Sequence, residues 1–177
     1  SSDVCSSDLT TLVKLLLGYF APTSGNIFLG DTPLQDYDMT SWRHSCGVVL
    51  QDSHVFSESL ARNIAVEDKH IDRTRLRTAA RQANLEEFIE KLPLKYQTMV
   101  GAEGVGLSRG QEQRIFIARA LYKDPSFVFL DEATNSLDAN NERIITGNLL
   151  DFCKGRTVLI VAHRLSTIRH ADKIVVQ

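Results

Sequence analysis

The stretch Leu107–Asp138 reads LSRGQEQRIFIARALYKDPSFVFLDEATNSLD. Its first half carries the marks of a helix start. Ser108 stands where an N-cap belongs, Gln111 completes a Ser-x-x-Gln capping box, and the apolar run opens at Ile115. Asp124-Pro125 ends that helix over Ser108 to Lys123, and Phe127 to Leu130 form an apolar strand closing on adjacent acids, Asp131 and Glu132. A helix leading into a buried strand is the building unit of a parallel sheet with helices on its faces. Capping does not account for Gly110, since glycine costs about 1 kcal/mol inside a helix. At a helix N-terminus it lets backbone N–H groups approach an anion. Ser108, Gly110 and the helix dipole are therefore a candidate phosphate clamp.

Two more apolar strands end on polar groups, GVVL before Gln51 and TVLIVA before His163. Ligands of open parallel sheets bind beyond the carboxyl ends of the strands. Three strands would thus bring an amide, two carboxylates and an imidazole to one edge. Neighbouring strand residues point to opposite faces. One of these acids can then hold a magnesium shell while the other reaches a water, the division that phosphoryl transfer asks for.

Elsewhere strands and helices alternate. TTLVKLLLGYF, from Thr10, has a helix pattern closed by Gly18 and the turn Pro22 to Gly25, and NIFLGDTPL reads as strand, tight turn and return. From Ser57 to Leu92 the pattern is helical. Leu76, Ala79, Ala80 and Ala83 make an apolar stripe, and Arg73, Arg75, Arg77 and Arg81 mark the wet side. Pro93 breaks that block, a link from Gly101 to Gly106 follows, and a last helix spans Asn140 to Phe152. The expected fold class is α/β, a mostly parallel sheet with an inserted helical subdomain over about 57–123.

The chain has 177 residues, 43% hydrophobic, enough for one domain with a real core. Its 20 basic and 22 acidic residues leave a net charge of −2, which argues against nucleic acid as the main partner. No apolar run approaches the ~18 residues of a membrane span, so a membrane role calls for a partner or a further segment. Cys5, Cys46 and Cys153 have no metal-ligand spacing and read as free thiols of a reducing compartment.

LSRGQ, FVFLDEATNSLD and VLIVAHRLSTIRHADKIVV resemble the signature, Walker B, D-loop and switch-histidine motifs of ABC transporter ATP-binding domains. GVVLQD resembles their Q-loop, and order and spacing agree from Thr10 onward. The resemblance implies a P-loop NTPase-like fold that binds ATP and Mg2+. Two such domains pair head to tail, each ATP lying between the Walker motifs of one and the signature of the other. It assigns Thr10, Gln51 and Asp131 to magnesium and Thr11 to the phosphates. Glu132 becomes the general base or water-positioning acid, and His163 the contact to the γ-phosphate. Ser108, Gly110 and Gln111 act in trans, and Asp138 lies at the dimer seam. VFSESLARNIAVED and the loop TMVGAEG, Thr98 to Gly104, are similar to exporter segments. They imply a fused transmembrane domain, a place on the cytoplasmic face of the cell membrane, and kinship with peptide and bacteriocin exporters, some with a peptidase. The same loop weighs against a soluble ABC ATPase acting on DNA or ribosomes.

The family's phosphate loop, Gly-x-x-x-x-Gly-Lys-Ser/Thr, is where this chain departs. Aligned on Thr10, its last glycine falls on Asp8 and its lysine on Leu9, within SSDVCSSDL. Glycines let N–H groups wrap the phosphates and lysine reaches the β and γ oxygens. Losing one partner of a buried charge pair costs roughly 2–5 kcal/mol, so ATP affinity would fall roughly 30- to several-thousand-fold. Residues 1–9 are expected to be foreign to an otherwise intact motif set, the chain being a piece cut at both ends. The alternative is a degenerate, non-catalytic domain that lends its signature to a competent neighbour. Arg109 replaces the first signature glycine, and the clamp is expected to survive because Gly110 is kept.

Overall fold

The computed structural model describes the backbone of residues 3–162 and 171–175, and side chains from Leu9 onward within those bounds. The chain runs α1 (Asp3–Leu16), β1 (Phe28–Leu29), β2 (Thr32–Pro33), α2 (Met39–Ser45), β3 (Cys46–Val49), α3 (Leu60–Ile64), α4 (Arg73–Gln82), α5 (Glu86–Glu90), α6 (Arg109–Lys123), β4 (Phe127–Asp131), α7 (Ala139–Cys153) and β5 (Thr157–Val161). Strands β3, β4 and β5 form a parallel sheet in that order, and β1 and β2 a small antiparallel hairpin. This is the mixed α/β architecture expected.

The sheet is apolar on both faces, as parallel sheets buried by helices are. Along β4, Val128 and Leu130 enter one core, with Val49, Ile115, Ile117 and Ile145. The alternate residue Phe129 enters the other, with Val13, Leu17, Trp42 and Val161. The first core runs unbroken from the sheet into α3, α4 and α5 through Leu60, Ile64, Leu76, Ala80 and Ile89. The helical block of 57–123 and the sheet therefore share one interior. The second core is roofed by α1 and α2. Trp42 is 7% exposed, donates Nε1–H to Leu16 O at 2.9 Å, and packs against Phe127. Gly47 permits a close crossing: a Cβ there would lie 2.4 Å from Pro125 Cγ.

Three expectations changed in detail. Helix α1 begins at Asp3, not near Thr10, because VCSSDL holds no glycine or proline to stop it. The 57–92 block is three helices, not one pattern. Asp72 caps α4 by accepting from Thr74 N and Arg75 N, and Asn84, at φ +53°, turns the chain into α5. Strand β4 extends through Asp131. Among the described residues, no helix is long and apolar enough to cross a membrane.

Candidate functional site

Strand register fixes the site's edge. Val49 pairs with Leu130, Leu130 with Ile160, and Asp131 with Val161. Gln51, the pair Asp131 and Glu132, and the end of β5 therefore emerge together. His163 lies outside the described residues, as does His170.

Asp131 is 1% exposed and faces α1. Its Oδ2 accepts the Thr10 hydroxyl at 2.6 Å, while Oδ1 has no hydrogen-bond partner among the described residues. Burial pushes its carboxyl above the ordinary range. The Thr10 hydrogen bond pulls the other way, and the neighbouring Glu132 and Asp52 charges add to the rise. Lys14, ion-paired to Asp52 at 2.9 Å, offsets part of it. An orphaned, buried carboxylate oxygen beside a hydroxyl fits Mg2+, which uses one or two carboxylates and fills its shell with water and substrate phosphate.

Glu132 leaves the strand altogether. Its φ is +51°, a left-handed conformation that costs a non-glycine residue on the order of 1–3 kcal/mol. The turn is pinned on two sides. Glu132 N donates to Val161 O at 3.0 Å, and Gln113 Nε2 of α6 donates to Glu132 O at 3.1 Å. Its carboxylate Oε2 accepts from Asn135 Nδ2 at 2.6 Å and from Gln51 Nε2 at 3.4 Å. The two acids are separated because the strand ends between them, more than by simple alternation.

The start of α6 forms the full capping box: Ser108 N donates to Gln111 Oε1 at 2.8 Å, and Gln111 N to Ser108 Oγ at 3.3 Å. Gly110 also has a packing reason invisible in sequence. A Cβ there would lie 3.3 Å from Ser136 O, in the loop after β4. Gln113 ties the same loop by accepting from Ser136 N at 3.3 Å. No hydrogen bond among the described residues joins Ser108 or Gly110 to Thr10, Asp131 or Gln51. Asp138 is exposed and caps α7, accepting from Asn140 N and Asn141 N. The backbone bond from Asn141 leads in holding its carboxyl below the usual range.

The phosphate side is different. With α1 starting at Asp3, the N–H groups of Thr10 and Thr11 fall inside the helix, bonded four residues back. Thr11 is exposed. Among the described residues, neither a helix N-terminus nor a glycine faces Asp131 from α1, and the helix's lysine, Lys14, pairs with Asp52 at 2.9 Å, so the residues present do not fit the phosphates of ATP in cis.

Sequence reasoning missed Asn135 and Gln113. The Glu132-x-x-Asn135 spacing was the available signal for the first, as turn residues three apart can touch. The second had none, since its partners lie 19 and 23 positions on. Trp42 is a core residue, and His44, His54 and His70 lie exposed.

Comparison with known proteins gives a consistent result. A family model described as ABC transporter matches residues 9–135. The chain is 45% identical over 170 residues to an ATP-dependent lipid A-core flippase of Chromohalobacter salexigens, covering 96% of this chain and 29% of that protein. It is 44% identical to the toxin RTX-I translocation ATP-binding protein of Actinobacillus pleuropneumoniae, covering 96% and 24%. Among solved structures, a bacterial Atm1-family ABC exporter with ATP bound superposes with TM-score 0.87 and 36% identity, covering 92% of this chain and 29% of that one. The chain thus spans under a third of the length of these relatives.

Proposed function

This chain belongs to the ABC transporter family, and we propose that it is the ATP-binding and ATP-hydrolysing domain of an exporter. The observation that carries this reading is the cluster at the strand ends, where Thr10 meets a buried, half-satisfied Asp131 and Glu132 is held by Asn135 and Gln51. Asp131, Thr10 and Gln51 would hold Mg2+, which when bound supplies charge compensation at the phosphates. Glu132 orients the attacking water and takes its proton. His163 reaches the γ-phosphate. Ser108, Gly110 and Gln111 serve the nucleotide of a second, head-to-tail domain, with Asp138 at the seam. The transmembrane domain is fused, and the unit works at the cytoplasmic face of the membrane. The relatives named above handle a lipid A-core and a toxin; a peptide is our proposed cargo.

A second reading is favoured by the unbroken α1 and by Asp8 and Leu9. The domain would then be non-catalytic and offer only its Ser108 clamp to a competent partner. We prefer residues 1–9 as a foreign segment, because Gln51, Glu132 and His163 are all retained.

The test restores Gly-Ser-Gly-Lys ahead of Thr10 through Ser6→Gly, Asp8→Gly and Leu9→Lys. The expected result is Mg-ATP binding tightened at least roughly 30-fold and hydrolysis that Glu132→Gln abolishes while binding persists. Equal, tight ATP binding by both forms would refute the damaging role of residues 1–9. Restored binding without hydrolysis that depends on Glu132 would favour the partner reading.

A further inference from the structure

Away from the nucleotide edge, a cavity of about 570 Å3 opens between α3, the first turns of α4 and the turn at Lys95–Gln97. Its rim carries Arg62, Lys69, His70, Arg73, Arg77 and Lys95, and no acidic side chain lines it. Ile71, Leu76 and Tyr96 give it an apolar floor, and Leu94, 65% exposed, stands at its edge. Sequence scatters these residues over 62–97; the fold gathers them.

The pairing of these cations is uneven. Lys95 is matched by Glu90 at 2.6 Å. Arg62 spends its guanidinium on Asp68 O and Lys69 O, which leaves its charge without a carboxylate. Among the described residues, Lys69, Arg73 and Arg77 have no carboxylate at ion-pair distance. Their neighbours on α4 show that partners were within reach of this helix. Arg81 pairs with Glu86 at 3.1 Å, and Arg75 bonds Lys123 O and lies over the Tyr122 ring. Arg81 lies one turn beyond Arg77, outside the concavity, and takes the Glu86 carboxylate, which Arg77 feels only at longer range. Arg73 and Arg77 are four residues apart, hence on one face. Clustered like charges repel and favour an anion between them.

We propose that this cavity binds a small phosphate-bearing molecule. Arginine forks suit phosphate oxygens in bidentate contact. The volume lies within the range of small-molecule sites and the floor can take an apolar body. Arg73, Arg77 and Lys69 hold the phosphate, and Leu94 and Tyr96 face the rest. The site is separate from the Thr10 and Asp131 cluster and does not depend on the ATPase reading.

The test is calorimetric titration of the full chain with inorganic pyrophosphate, without Mg2+ or nucleotide and at fixed ionic strength. The Arg73→Ala, Arg77→Ala pair is expected to weaken binding at least tenfold. Arg143→Ala, which removes an exposed charge on α7, changes it less than twofold. The Arg73→Lys, Arg77→Lys pair keeps the charges, guards against a folding defect, and is expected to weaken binding several-fold through loss of the forks. Glycerol phosphate and dihexanoyl phosphatidic acid then separate a soluble ester from a lipid headgroup, and saturable binding of either supports the site. Absence of binding, binding unchanged in both pairs, an equal loss in Arg143→Ala, or tighter binding of a glutamate-rich peptide than of pyrophosphate would overturn it.

Discussion

Asp131→Asn should stabilise the chain at neutral pH even though it removes a proposed magnesium ligand. Asp131 is 1% exposed, with one oxygen bonded to Thr10 and the other unpartnered. A buried polar group without a partner costs about 1–3 kcal/mol, and more when charged. Asparagine keeps the shape and an acceptor for the Thr10 hydroxyl, but sets an unpaired N–H where Oδ1 was. Only the charged share of the cost is relieved, which points to the lower end, about 1 kcal/mol. With a urea slope of roughly 1–3 kcal/mol per molar, the midpoint would rise by about 0.3–1 M. The pH dependence is the sharper readout. Burial raises the folded pKa of Asp131 above its unfolded value, ~3.9. Between the two values the native state binds the extra proton, so wild-type stability falls as pH rises through that window. The advantage of asparagine is therefore full above the folded pKa and disappears below the unfolded one. Urea unfolding of both proteins, without Mg2+, from pH 7 down to about 3 measures this. A loss of 1 kcal/mol or more at pH 7, or an advantage that grows on acidification, would show that the fold compensates the charge.

Three further outcomes follow from single contacts. With the phosphate loop restored, Asn135→Ala frees the Glu132 carboxylate from its 2.6 Å bond; steady-state kinetics should show kcat down about tenfold with KM for ATP within twofold. Trp42→Ala opens the core beneath α1 and α2 and should cost about 3–5 kcal/mol by urea unfolding. Asp138→Ala uncaps α7. The depressed carboxyl of Asp138 contributes stability that is present above the ordinary value, ~3.9, and lost as pH falls through the folded value, so thermal melts should show the deficit at pH 7 and its shrinkage in acid.

Much of the sheet was legible because its signals are local. Three apolar runs end at Gln51, Asp131 and His163, and period-two burial through Val128 and Phe129 follows from the strand itself. The Ser108 capping box is also complete within four residues. What stayed hidden was set by distant partners. Gly110 is constrained by Ser136 O, and Glu132 holds its left-handed turn through bonds from Gln113 and to Val161. The Thr10 to Asp131 hydrogen bond spans 121 positions, and only the family resemblance put those two residues together. The early start of α1 shows the opposite failure: the helix pattern was read only from Thr10, and the run VCSSDL ahead of it, with no glycine or proline, continues the helix back to Asp3.

The interior shared by sheet and helices bears on how such a domain can change over generations. Leu76, Ala80 and Ile89 meet the same apolar volume as Val128 and Leu130. A helical block exchanged alone from a relative would bring side-chain volumes fitted to another sheet, and mismatched cores lose about 1–3 kcal/mol to overpacking or more to cavities. Substitutions in α4 and β4 should therefore be inherited as matched sets, and viable crossovers should fall outside 60–149, where the chain leaves that common interior.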